Sequence, residues 1–243
     1  MREVLLDLVK QTGGLTEALR VTGTNEETVI KGCDETKTLF IEATLKQPLA
    51  EFEGEFGVTN INLLSGLLNF PNYLTDDATF NVKKKERDGL MTVEQFEFRN
   101  KVTGNDADFR MMDPKHIPDQ ATIPNIPWDV TVVPTKSKVT EFSQLASLYA
   151  EVDKCFGART KNGDLQFYIG DEESANHRVS MVFEAGVKGD LKGNLTWNTH
   201  QFLSIMKLTG QHPTTLKITN RGVLGIAVET PHGIYNYFIR ANR

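Results

Sequence analysis

The chain has 243 residues, 39% of them hydrophobic and 24% charged, with a formal net charge of −5. That length accommodates one large domain or two of about 120 residues, and the composition excludes a disordered, fibrous or disulfide-stapled chain. No apolar run approaches the roughly 18 residues of a membrane span, and the two distant cysteines, Cys33 and Cys155, lack metal-ligand spacing and read as reduced thiols, so a cytoplasmic protein is expected.

Four helices stand out along the chain. The first, Val4–Gln11, sets Val4, Leu5, Leu8 and Val9 on one face and Glu3, Asp7 and Lys10 on the other, with Gly13-Gly14 as its stop. This opening alternates charged and apolar residues and does not read as a signal peptide. The second is Ile61–Asn69, ended by Pro71. The third is predicted over Glu141–Cys155, with Thr140 as N-cap and Gly157 beyond its end, and the fourth over Thr199–Thr209, with Asn198 or Thr199 as cap and Gly210 as stop.

Short β-type runs fill the intervals: ALRVTG, ETVIKG, TLFIEATL and FEGEFGV in the first half, and DLQFYIG, HRVSMVFEA, LKGNLTW, TTLKIT, VLGIAVE and IYNYFIR in the second. Asp88-Gly89, Asn162-Gly163 and Pro231-His232-Gly233 mark turns. Isolated helices among short antiparallel runs predict an α+β fold rather than a doubly wound α/β fold. Between the halves, residues 104–134 hold five of the nine prolines, so this stretch is expected to be extended and largely outside any sheet. Its Met111, Met112, Ile117, Ile123, Ile126 and Trp128 make it too apolar for a free linker.

One segment of the first half returns in the second. Residues 54–83 and 193–219 each read as strand, short helix with a central Leu-Ser pair (Leu64-Ser65, Leu203-Ser204), polar turn and strand, at an offset of 139 residues. Self-similarity on that scale implies two similar domains. Charge is uneven between them: residues 1–125 carry 14 Lys and Arg against 21 Asp and Glu, a net of −7, whereas 126–243 carry 13 against 11, a net of +2.

Catalytic constellations are missing from the sequence. No dinucleotide or phosphate loop, HExxH or GxSxG occurs, and the five histidines share no ligand spacing. A Cys155–His pair, the acidic run Asp171-Glu172-Glu173 and the lysine run Lys83-Lys84-Lys85 each admit a functional reading (nucleophile, cation, phosphate) beside a plain solvated one; for the lysine run a hairpin loop is expected. The third and fourth helices carry polar stripes, Gln144, Ser147, Glu151, Lys154 and His200, Ser204, Lys207, Gln211. Such stripes are either a solvated face or a weakly basic contact surface.

EFGVTNINLLSGLLNF, FLSIMKLTGQHPTTLKI and PWDVTVVPTKSKVTEFSQLASLY, in a chain of two similar halves joined by an apolar connector, resemble the DNA polymerase sliding clamps, with the nearer likeness to those of T-even-type tailed phages. The resemblance implies an N-terminal clamp domain over 1–110, a connector over 111–127 and a C-terminal clamp domain over 128–243. Each domain would be antiparallel sheets with two short helices on one face. It implies a non-catalytic homotrimeric ring around duplex DNA, needing neither metal nor cofactor, and binding the polymerase and clamp loader through short peptides. Arg2, Lys10, Lys138, Lys154, His200 and Lys207 would face DNA, though the second helix has no basic residue to contribute. The partner-peptide pocket would be formed by Met111, Met112, Pro114, Ile117, Tyr235 and Phe238. A ring- or tube-forming phage structural protein is the alternative, and a small hydrolase or transferase lacks the convergent polar set it would need.

Overall fold

The computed structural model describes residues 1–87, 89–117, 125–170 and 177–242. The chain divides into two compact units, Met1–Ala121 with Thr230–Tyr235, and Thr122–Glu229 with Asn236–Arg243. Pro118, Ile123, Pro124, Asp88 and the run Asp171-Glu172-Glu173 lie outside the described residues.

The first unit runs α1 (Arg2–Thr12), β1 (Ala18–Gly23), β2 (Thr28–Cys33), β3 (Leu39–Leu45), β4 (Gly54–Thr59), α2 (Ile61–Asn69), β5 (Ala78–Arg87), β6 (Leu90–Asn100) and β7 (Asn105–Arg110). The second runs β8 (Val130–Val132), α3 (Lys136–Leu148), β9 (Cys155–Lys161), β10 (Asp164–Ile169), β11 (Val179–Glu184), β12 (Lys192–Asn198), α4 (Thr199–Thr209), β13 (Thr214–Thr219) and β14 (Val223–Glu229). The last strand, β15 (Gly233–Arg240), begins in the first unit and ends in the second. The fold is α+β, as the short alternating runs predict.

The internal repeat is complete. After β8, the second unit repeats the first element by element, with α3 standing for α1, β9 to β12 for β1 to β4, α4 for α2, and β13 to β15 for β5 to β7. Sheet order repeats as well: β4-β1-β2-β3 corresponds to β12-β9-β10-β11, and β5-β6-β7 to β13-β14-β15, with β8 added beside β13. Pairing is antiparallel through β4-β1-β2-β3, β5-β6-β7, β12-β9-β10-β11 and β8-β13-β14.

Local chemistry explains the elements. In β3, Leu39, Ile41, Ala43 and Leu45 are buried and alternate with less buried residues, the two-residue period of a strand covered on one face. Asn162 (φ 55°) and Gly163 (φ 85°) take the left-handed conformations of a two-residue hairpin between β9 and β10. In the first unit α1 and α2 pack together and bury Leu5, Leu8, Val9, Ile61, Leu64 and Leu68. In the second, Phe142 of α3 and Phe202 of α4 join Phe156, Phe167 and Phe183 of β9, β10 and β11. Their ring centroids lie between 4.1 and 6.5 Å apart.

Two expectations need correction. The third helix begins at Lys136 and ends at Leu148, not over Glu141–Cys155. The Thr135 hydroxyl accepts the Lys138 N–H and caps it, and the chain turns at Tyr149 because Cys155–Lys161 enters the sheet as β9 with Phe156 buried. The lysine run is no hairpin loop; Lys83, Lys84 and Lys85 lie inside β5, paired across to β6. By contrast, residues 104–134 do lie largely outside sheets, as expected: among the described residues only β7 and β8 are strands.

Candidate functional site

Basic side chains on the helices were the expected contact surface, and each unit treats them differently. In the first unit Arg2 does not project outward. Its guanidinium donates to the Tyr73 carbonyl (2.6 Å) and, through a second nitrogen, to the Leu68 carbonyl, so it ties the start of α1 to the end of α2. Burial lowers the Arg2 pKa from its ordinary value, and the residue is structural rather than a free cation. Lys10 is exposed and unpaired among the described residues, but Glu3 and Asp7 share its helix, so α1 carries two cations and two anions. The outward side of α2 presents Asn62, Leu63, Gly66 and Asn69, with Leu63 55% exposed, and offers no charge.

The second unit concentrates positive charge. The start of α3 and the end of α4 border a cleft of about 450 Å³ whose lining includes Lys136, Val139, Thr140, Lys207 and His212. Lys136 and Lys207 are exposed and make no ion pair among the described residues. The first turn of α3 adds the partial positive charge of a helix N-terminus. Two lysines, a histidine and a helix start in one cleft suit an anion such as a phosphate. Lys138 is less available: its ammonium sits 2.9 Å from Glu141, one turn along α3. His200 is exposed on α4. Lys154 is exposed too, but on the loop before β9 rather than on a helical stripe, because α3 ends at Leu148. Lys136 and His212 escaped the sequence reading because they fall outside the helix bounds drawn there.

The six residues expected to form a partner pocket have different fates. Ile117 is 2% exposed and packs on β4, where a Cβ at Gly57 would come within 2.6 Å of its side chain. Tyr235 is fully buried, its hydroxyl 3.0 Å from the Asp7 carboxylate. Neither offers a ligand any surface, and both are corrected to core positions. Met112 bridges to Gly57 through paired backbone bonds of 2.8 and 2.9 Å and remains 37% exposed. The Pro114 carbonyl accepts from Arg20 (2.8 Å), which fastens this segment to β1. Met111 is half-buried beside β6. Phe238 stacks on Trp128 at 6.5 Å and 16°.

Other chemistry is sparse. Among the described residues no group of three or more His, Cys, Asp or Glu is placed to hold a metal ion. Burial pushes the Cys155 thiol pKa up, and Asp153 adds to the rise, so the thiolate is disfavoured. Among the described residues no helix is long and apolar enough to cross a membrane.

Comparison with known proteins places this geometry. No family model and no curated protein matches the sequence. Among solved structures, the chain is similar to one from the structure described as the C-terminal region of FEN-1 bound to A. fulgidus PCNA. The TM-score is 0.69 at 10% sequence identity, and the likeness covers 100% of this chain and 96% of that one. PCNA is a sliding clamp, and the two repeated units have the DNA clamp fold.

Proposed function

We propose that the protein is a sliding clamp, a non-catalytic ring that encircles duplex DNA and tethers a DNA polymerase during processive synthesis. The observation that carries this reading is the clamp fold along the entire chain. The charge pattern agrees. A clamp must hold DNA without reading bases, because each specific base contact would be a trap of about 1–3 kcal/mol. Phosphate attraction is nearly uniform along the duplex and permits sliding. The cleft with Lys136, Lys207 and His212 supplies that attraction, supported by the exposed Lys154, His200 and Lys10.

The repeat also suggests how copies join. Within the first unit the start of β15 runs beside the end of β3, where the Lys46 N–H donates to the His232 carbonyl at 2.9 Å. By the element-for-element correspondence, β11 stands where β3 does and β7 where β15 does. Yet β11 and β7 each have one strand neighbour among the described residues. Pairing β7 of one copy with β11 of the next would repeat the β15–β3 arrangement and cover both open edges. Such a head-to-tail interface closes into a ring when its rotation permits, and three two-unit chains give the six units of the trimer.

Partner proteins would dock through short segments, as the C-terminal region of FEN-1 does on the A. fulgidus protein, with Met112 and Pro114 still available to receive them. Sedimentation at micromolar concentration tests the assembly. A species of three times the 27.2 kDa chain mass is expected. A monomer would contradict the ring, and an open-ended polymer would favour the tube-forming structural protein instead.

A further inference from the structure

The first unit is the acidic one, yet the outer side of its three-stranded sheet gathers positive charge in one place. A cleft of about 200 Å³ is lined by Lys83, Lys85 and Arg87 of β5, Glu94 of β6 and Arg110 of β7, with Val93, Gln95 and Met111 as its uncharged walls. Glu94 is the only carboxylate there. One of its oxygens lies 3.3 Å from Lys83 and the other 3.4 Å from Lys85, so a single anion is shared by two ammonium groups. The Lys83 hydrogen bond, foremost among the effects of these two lysines, holds the Glu94 carboxyl below its usual range. Arg87 is answered by Asp113 at 3.3 Å. The Arg110 side chain is exposed and makes no hydrogen bond or ion pair among the described residues. The cleft therefore retains two uncompensated positive charges in a half of the chain whose net is −7.

We propose that this cleft, Lys83, Lys85 and Arg110 around Glu94, is a docking site for an acidic segment of a partner protein. The geometry favours carboxylates. Glu94 already shows how one is seated, with an oxygen to each lysine. Lys83 and Lys85 are two positions apart on a strand, a separation of about 7 Å, which matches alternate side chains of an extended acidic peptide. Arg110 can take a further carboxylate in forked geometry. A nucleic-acid strand fits less well, because the lining has no aromatic ring on which a base could stack, and the acidic remainder of the half-chain repels a long polyanion. The site lies on the β5-β6-β7 sheet of the first unit.

Fluorescence anisotropy with a labelled oligoglutamate peptide tests it, using an oligoglutamine peptide and an oligothymidylate as comparison probes. The full chain should bind oligoglutamate in a salt-dependent way and ignore oligoglutamine. Lys83→Glu/Lys85→Glu/Arg110→Glu should weaken binding by about tenfold or more, that is by about 1.4 kcal/mol or more. Glu94→Gln, which frees both lysines, should tighten it severalfold, whereas Glu26→Gln in the exposed β1–β2 turn should leave it unchanged. Four results would overturn the assignment: no oligoglutamate binding; an unchanged affinity in the triple variant; tighter binding of oligothymidylate than of oligoglutamate; or loss of self-association in Lys83→Glu/Lys85→Glu, which leaves β7 untouched and would make the cleft a contact between copies. If the triple variant does not fold, Glu94→Gln decides, and absence of a gain refutes the proposal.

Discussion

The two units share one plan and differ in what they present on their helices. In the first, α1 and α2 meet through aliphatic side chains, Arg2 is spent on internal carbonyls, and the outward face is neutral in sum. In the second, α3 and α4 meet β9, β10 and β11 through a cluster of five phenylalanines, and Lys136, Lys207 and His212 surround one cleft. Architecture is thus conserved across the repeat while charge is not. The fold needs only apolar residues at the right period, so the exposed positions of each copy are free to diverge. If the protein grips DNA, the second unit supplies most of the hold.

That contrast can be broken at its core first. Phe202 touches four other phenylalanine rings and is fully buried, so Phe202→Ala should cost about 3–5 kcal/mol of stability. Leu64, at the centre of α2, is equally buried and should cost about 2–5 kcal/mol as Leu64→Ala. Denaturant unfolding of both variants measures the difference, and a larger loss at Leu64 would contradict the greater weight given to the aromatic cluster. Next comes Arg2→Ala, which leaves two half-buried carbonyls without their donor and should cost about 1–3 kcal/mol. Because Arg2 is assigned to structure, its duplex affinity at a temperature where it stays folded should equal that of the parent chain; a clear loss would return Arg2 to the DNA-facing set. Lys136→Glu/Lys207→Glu should lower duplex affinity by about tenfold or more at low salt and flatten its salt dependence. Lys10→Glu, a change in the other unit, should do less, and equal effects would erase the asymmetry.

The smallest expected effect concerns pH. Asp129 accepts from the Asn220 N–H (2.7 Å) and the Thr219 hydroxyl (2.8 Å), and these bonds, the backbone one foremost, hold its carboxyl below the usual range. A folded pKa below the unfolded value of about 3.9 means that the stabilisation is complete above that value and is lost as pH falls through the folded pKa. Asp129→Asn should therefore cost stability at neutral pH and progressively less in acid, measured by thermal melting across that range. A pH-independent difference would remove Asp129 from the account.

How much was legible in the sequence varies by element. Helix α2 matches its predicted bounds, Ile61–Asn69, because Phe70-Pro71 permits no continuation. Helix α4 matches Thr199–Thr209 because Asn198 accepts the Gln201 N–H at 3.0 Å and Gly210 follows. Helix α3 was misplaced because Thr135 and Thr140 are equally good caps in isolation. Only the demand of the sheet for Cys155–Lys161 shows that the helical period running on to Lys154 is not used. That single shift moved Lys154 off the helix and brought Lys136 onto it. The β5 lysines were misread because a run of like charge suggests a turn, whereas a strand with one solvated face accepts charge at alternate positions when Glu94 stands across from it. The expected pocket failed at Ile117 and Tyr235 since apolar and aromatic types signal burial without saying whether a ligand or the core will cover them.

Topology tests the central claim most directly. The protein is mixed with a linear duplex so that rings can thread over its ends, the duplex is ligated into a closed circle, and the complex is washed in high salt, which removes phosphate attraction. A ring should remain on the circle through the wash and leave when the circle is cut once. Equal loss from closed and cut DNA would contradict encirclement and, with it, the proposed function.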